Sequence, residues 1–190
     1  MLAFEAINAD PSALLVSAPK SSKGGLNIAS IHWSNRLVRV KLAPHLSSVS
    51  TPFAPRVLGG GEADRKGILF NISNETYEQL YEFESNCLKA LKEHVPNIFE
   101  IWRTAITPED KYSAILKAKI NTRGDNKVTY YNSECEVVEE PASWRNLPVN
   151  ASIMIRGCYV QRGQAGFLLD VTHLQYGNAP DAQPQVCPFL

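Results

Sequence analysis

Lys117 and Lys119 stand at alternate positions of the run Leu116-Lys117-Ala118-Lys119-Ile120, whose other members are apolar. In an extended strand that alternation sends the apolar set to one face and both ammonium groups to the other. Further cations fall on stretches that read as strands or hairpin tips: Arg39 and Lys41, Arg123 and Lys127, Arg156 and Arg162. Aromatic rings are interleaved with them at Trp33, Tyr130, Tyr131, Tyr159 and Phe167. Cations that track a phosphate backbone beside rings on which bases stack, at about 1–3 kcal/mol per stacked base, would capture a single-stranded nucleic acid. A solvated strand face would show the same lysines, and a small barrel packs some of its rings inside. Phe167 and Tyr159 share strand parity with Leu169 and Ile155, which points both toward the core. Tyr130 and Tyr131 are adjacent, so in a strand one of them must face outward.

Charge is segregated along the chain although its total cancels. Arg103 to Lys127 holds six basic residues against three acidic ones, and Glu75 to Glu100 holds six acidic against two basic. Lys plus Arg equals Asp plus Glu at 19 each, which argues against a polybasic DNA packer and makes any attraction to phosphate local.

Catalysis finds little support. His32, His45, His94 and His173 stand alone, outside any zinc-binding or metalloprotease spacing. Gly59-Gly60-Gly61 followed by Arg65-Lys66 lacks the spacing of a phosphate loop, and no nucleophile elbow or dinucleotide fingerprint occurs. Cys87, Cys135, Cys158 and Cys187 form no C-x-x-C pair and read as free thiols. No cofactor or metal is expected. The apolar runs fall far short of the ~20 residues that cross a bilayer, and no export signal is evident, so the chain is expected inside the cell and not secreted.

The elements that must hold these residues follow from periodicity. Residues 1–28 read as an N-terminal arm and flexible link, and Ile28 to Leu42 as a long first strand. Ala43 to Lys66, with prolines 44, 52 and 55, reads as a long excursion; it offers Phe53, Arg56, Arg65 and Lys66 either to solvent or to a ligand. Gly67 to Ile72 is a short strand. Ser73 or Asn74 then caps a helix over about 74–94, whose stripe of Tyr77, Leu80, Tyr81, Glu84, Cys87, Leu88 and Leu91 is read as core-facing. Strands from Tyr112 to Ile120 and Lys127 to Val138 are expected to pair as a hairpin about Asn121-Thr122-Arg123-Gly124-Asp125-Asn126. A final hairpin turns at Gln161 to Gly166, and after Tyr176 a proline-containing polar tail, 177–190, is expected to be disordered.

The run Lys111-Tyr112-x-x-x-Leu116-Lys117-x-Lys119-Ile120, followed by Arg156-Gly157-x-Tyr159-Val160-x-x-Gly163-x-x-Gly166-Phe167, resembles the C-terminal half of OB-fold single-stranded DNA-binding proteins of phages and large DNA viruses. Thr51-Pro52-Phe53, a strand and a long helix are similar in layout. The resemblance implies a mainly β (α+β) domain over 29–176: a five-stranded OB-type β-barrel with one long amphipathic helix and a disordered C-terminal tail. It implies sequence-independent binding of single-stranded DNA in replication, recombination or repair, in host cytoplasm or nucleus if the source is viral. In such proteins a flexible tail, often acidic and tipped by an aromatic, recruits replication proteins and competes with DNA. Here Pro188-Phe189-Leu190 echoes the tip, which makes Phe189 a partner-binding candidate, but Asp181 is the tail's only acid, which departs from charge competition. A homo-oligomer stays open, as does a structural or interaction protein, such as a minor virion component, that binds no nucleic acid.

Overall fold

The computed structural model describes residues 14–22, 25–33, 36–37, 39–42, 49–58, 64–108, 110 and 113–177, with backbone only at 33, 36–37 and 39–42. In chain order the first strands are β1 (Leu14–Val16), β2 (Lys20–Ser21), β3 (Asn27–Ala29), β4 (Ile31–Trp33), β5 (Arg36–Leu37), β6 (Arg39–Leu42), β7 (Ser50–Thr51), β8 (Arg56–Val57) and β9 (Arg65–Ile72). Helix α1 (Asn74–Lys92) and the short α2 (Ile98–Ile101) follow. The chain ends in β10 (Ile106–Thr107), β11 (Ala114–Asn121), β12 (Thr129–Tyr131), β13 (Val137–Val138), β14 (Leu147–Gln161) and β15 (Gln164–Tyr176). The described chain is thus mostly β with two helices, an α+β arrangement rich in sheet. No helix among the described residues is long and apolar enough to cross a membrane.

The long β14–β15 hairpin is the frame. Its turn is Arg162-Gly163, both residues at positive φ (49° and 74°), the backbone that a two-residue turn of matching twist requires. The expected loop from Gln161 to Gly166 therefore tightens to two residues. Strand β15 takes β11 in parallel at Lys119↔Asp170 and Ile120↔Val171, and β12 in parallel at Thr129↔His173 to Tyr131↔Gln175. Strand β11 runs antiparallel to β9 over its whole length, β9 meets β7 at Ser50↔Asn71, and β7 meets β14 at Leu147↔Thr51. The inward faces of these strands bury Ile68, Phe70, Leu116, Ile120, Ile153, Ile155 and Leu174.

Several expectations change here. β11 and β12 do not pair with each other; each pairs with β15, one after the other along its length, because the turn between them steps the chain forward. The stretch expected as one long strand is divided into β3, β4, β5 and β6, with β4 folding back on β5. Within the expected arm and link, β1 pairs with β4 and β2 with β3.

Helix α1 begins where expected: the Ser73 hydroxyl accepts the Thr76 N–H at 3.1 Å, satisfying one free donor of the first turn. Leu80, Phe83, Glu84, Cys87 and Leu91 face the sheet. Tyr81, expected in that stripe, is exposed and stacks on Tyr77 at 6.0 Å between centroids. The 3.6-residue period places Phe83 and Glu84 at the centre of the buried face and carries position 81 off it.

Candidate nucleic-acid interface

Strand β11 delivers the alternation read from its residues. Leu116, Ala118 and Ile120 are buried, Lys117 is exposed and Lys119 half-buried on the opposite face. Their strand partners on β9 are Leu69 and Gly67, so both ammonium groups rise beside a low apolar floor. At Gly67 a side chain would meet Leu58 at 3.1 Å; glycine lets the segment bearing β8 lie close over the strand.

Above this floor runs an open groove of about 660 Å3. Phe53, Arg56 and Leu58, then Arg103 and Thr104, then Tyr159 and Phe167 line it together with Lys117 and Lys119. Phe53 is 58% exposed. At Lys119 and Tyr159 the groove continues into a second hollow of about 340 Å3 lined by Arg65, Arg162, Gln161 and Gln164. Arg56, Arg65, Arg103, Lys117, Lys119 and Arg162 thus border one track, and no carboxylate lines either part. Among the described residues none of these six is ion-paired.

Tyr159 reaches the groove because of a β-bulge. Ile155 opposes Leu169 and Gly157 opposes Leu168, leaving Arg156 as the extra residue. The insertion reverses the period-two parity beyond it, so Tyr159 joins Gln161 on the outer face and leaves that of Ile155. Phe167 keeps its inward parity, with its ring edge-on to Trp102 at 5.1 Å and offset over Phe83 at 5.9 Å, yet it lines the groove as well.

The remaining candidates lie elsewhere. Tyr130 is buried, edge-on to Trp144 at 6.1 Å, and burial pushes its phenol well up, with Glu140 and Tyr176 adding to the effect. Tyr131 faces the other way, half-buried, its ring 6.0 Å from that of His173. Arg123 sits 3.5 Å from the Asp64 carboxylate and Lys127 is exposed outside the groove. Arg156 donates to Asp170 at 3.0 Å. The side chains of Trp33, Arg39 and Lys41, and all of Phe189, lie outside the described residues. Phe53, Arg56 and Arg65, which the chain alone offered as part of a long excursion, join the track, Arg56 from β8 and Arg65 from β9, as does Arg103, for which the residues alone carried no such sign.

Arg103 owes its place to its neighbours. Its N–H donates to the Ala165 carbonyl at 2.7 Å, and its own carbonyl lies where a side chain on Gly166 would stand, 2.8 Å from the ideal Cβ position. The flanking Trp102 Nε1–H and Thr104 hydroxyl both donate to Glu84 of α1, the latter at 2.8 Å. Burial raises the Glu84 carboxyl above the usual carboxylate range, and these two hydrogen bonds oppose that rise. Burial likewise raises the Cys87 and Cys158 thiols, so neither is a ready nucleophile. Among the described residues no group of three or more His, Cys, Asp or Glu could hold a metal.

No family model and no curated protein sequence matches the chain. Among solved structures it is similar to gp2.5, a single-stranded DNA binding protein encoded by bacteriophage T7, with a TM-score of 0.53 at 10% identity over 78% of this chain and 90% of that one. The single-stranded DNA-binding protein from bacteriophage Enc34, in complex with ssDNA, aligns with a TM-score of 0.47 at 16% identity over 88% of this chain and 97% of that one. A C-terminal truncation of the Enc34 protein gives 0.49 at 14% identity over 92% and 99%. The likeness to the T7 protein, at that identity, is one of fold: this chain has the fold of a phage-type single-stranded DNA-binding protein.

Proposed function

We propose that this chain binds single-stranded DNA without regard to sequence and serves DNA replication, recombination or repair. In this reading the sheet of β7, β9, β11, β14 and β15 is an OB-type barrel, and the strand crosses its face. Phosphates meet the six cations while bases enter the apolar part and stack on Phe53, Tyr159 and Phe167. The observation that carries the reading is the continuity of a cation-bordered track that contains the exposed ring of Phe53, the half-buried rings of Tyr159 and Phe167, and no carboxylate. Every base presents a π-face, so such a track tolerates all sequences. Residues 177–190, with Phe189 next to the last residue, would serve as the tail that meets replication proteins.

Titration with oligo-dT at several salt concentrations tests the proposal. Each neutralised phosphate on a single strand contributes about 0.7 to the logarithmic salt slope, so six contacts give a slope of roughly −4. Absence of binding at low salt would remove the reading and leave that of a structural or interaction protein. Binding that ignores salt would remove the mechanism.

A further inference from the structure

The buried carboxylate of Glu84 has no place in the track itself, yet both of its hydrogen-bond donors belong to the segment that lines the groove. That segment opens extended: Trp102 has φ −68° and ψ 136° and bridges to Ala165 in parallel. The Trp102 and Thr104 side chains both send their donors to α1, the alternation of an extended chain, while Arg103 between them lines the groove. The next residue, Ala105, accepts the Lys117 N–H at 2.8 Å, tying the same segment to the strand that bears the two lysines. The segment has no other strand to hold it in register until β10. A carboxylate is only 5% exposed here although no cation is paired with it among the described residues. Such burial is costly unless hydrogen bonds offset it, and the only side-chain donors to Glu84 among the described residues are Trp102 and Thr104.

We infer that Glu84 is a positioning residue for nucleic-acid binding: by clamping Trp102 and Thr104 it fixes Arg103 over the groove. The inference rests on the proposed single-strand binding and names what sets one of its six contacts. Without the clamp, the Trp102–Ala105 segment keeps its Ala165 bridge but loses the two side-chain anchors that fix which way Arg103 points.

A double-mutant cycle on the full chain, read by oligo-dT affinity and salt slope, tests this. Arg103→Ala is expected to lower the slope by about 0.7, one phosphate contact on a single strand. Glu84→Met, close in shape but without acceptors, should lower affinity and slope by the same amounts. Adding it to Arg103→Ala should change nothing further. Glu84→Gln keeps one acceptor and should restore most of the loss. If Glu84→Met fails to fold, Trp102→Phe takes its place in the cycle, since it removes the indole donor and keeps a ring against Phe167. Full additivity of the two substitutions, or wild-type slope in the Glu84 variant, overturns the inference while binding itself stands. Wild-type protein that fails to bind oligo-dT overturns the functional reading beneath it, and the two failures are thereby distinct.

Discussion

Two sets of cations lie on or beside one sheet and differ in their company. Arg56, Arg65, Arg103, Lys117, Lys119 and Arg162 border a groove with no carboxylate in its lining. Lys66, Arg123 and Arg156 lie outside that lining and each meets an acid: Glu140 at 2.9 Å, Asp64 at 3.5 Å and Asp170 at 3.0 Å. A cation with an anion a few ångströms away presents a dipole whose field fades well within the screening length of ~8–10 Å, whereas unpaired cations in a row add. The groove is positive because acids are kept out of it, not because base is abundant. That is how a chain with zero net charge can still offer a path to a polyanion.

The strongest way to break this contrast is to reverse charge in each set. Lys117→Glu together with Lys119→Glu should weaken oligo-dT binding at least about a hundredfold, since two charge-assisted contacts of about 1.5–3 kcal/mol each are lost. Lys127→Glu, exposed and outside the groove, should change affinity by less than about twofold, the scale expected of a screened surface charge. Equal effects from the two variants would show that general attraction, not the groove, binds the strand.

The rings allow a parallel comparison at smaller amplitude. Phe53→Ala should cost about 1–3 kcal/mol of binding, a stacked base's share, and leave thermal stability almost unchanged because the ring is mostly exposed. Tyr130→Phe, buried on the far side of the same sheet, should leave binding intact. If Phe53→Ala binds like wild type, Phe53 is not part of the stacking face.

What could be read from residues alone was local. The alternation of β11 and the cap and span of α1 depend on neighbours within a few positions, and both hold. The inward and outward facing of Tyr130 and Tyr131 was legible only as a choice, which the structure resolves. The placing of Tyr159 failed because parity arguments assume an uninterrupted ladder, and one extra residue at Arg156 reverses everything beyond it. The expected hairpin of β11 with β12 failed because a good turn sequence states that the chain reverses or shifts, not which strand it joins. Arg103 was hidden for a different reason: its position is set by Glu84, 19 positions earlier, and by Gly166, 63 positions later, and no periodicity links them. The Trp-Arg-Thr alternation was the one available clue.

The Glu84 carboxylate stands close to the groove without lining it, and it sharpens the rule that acids are excluded from the lining. Burial holds the Glu84 carboxyl above its ordinary value, so the folded chain retains that proton to higher pH than the unfolded chain does. Its contribution to stability is therefore full below the ordinary carboxylate pKa and declines as pH rises through the interval up to the raised value. Urea midpoints measured from acid to neutral pH should show this decline superimposed on the other groups, and Glu84→Gln should lack it. A Glu84→Gln profile parallel to that of wild type would mean that the charged form is not disfavoured by burial.

The smallest effect concerns a cation outside the groove that nevertheless protects it. Asp170 on β15 is the register partner of Lys119 on β11, so its carboxylate belongs to the same outer face as that lysine. Arg156, displaced outward by the bulge, engages Asp170 at 3.0 Å and leaves Lys119 without an acid of its own. Arg156→Ala frees Asp170 to neutralise Lys119, and oligo-dT affinity should fall a few-fold, in line with the ~0.2–1 kcal/mol of a partly exposed ion pair. Asp170→Asn added to Arg156→Ala removes the competitor and should return affinity to the wild-type value. If Arg156 touched phosphate directly, that second substitution would restore nothing, and Arg156 would move from the paired set to the binding set.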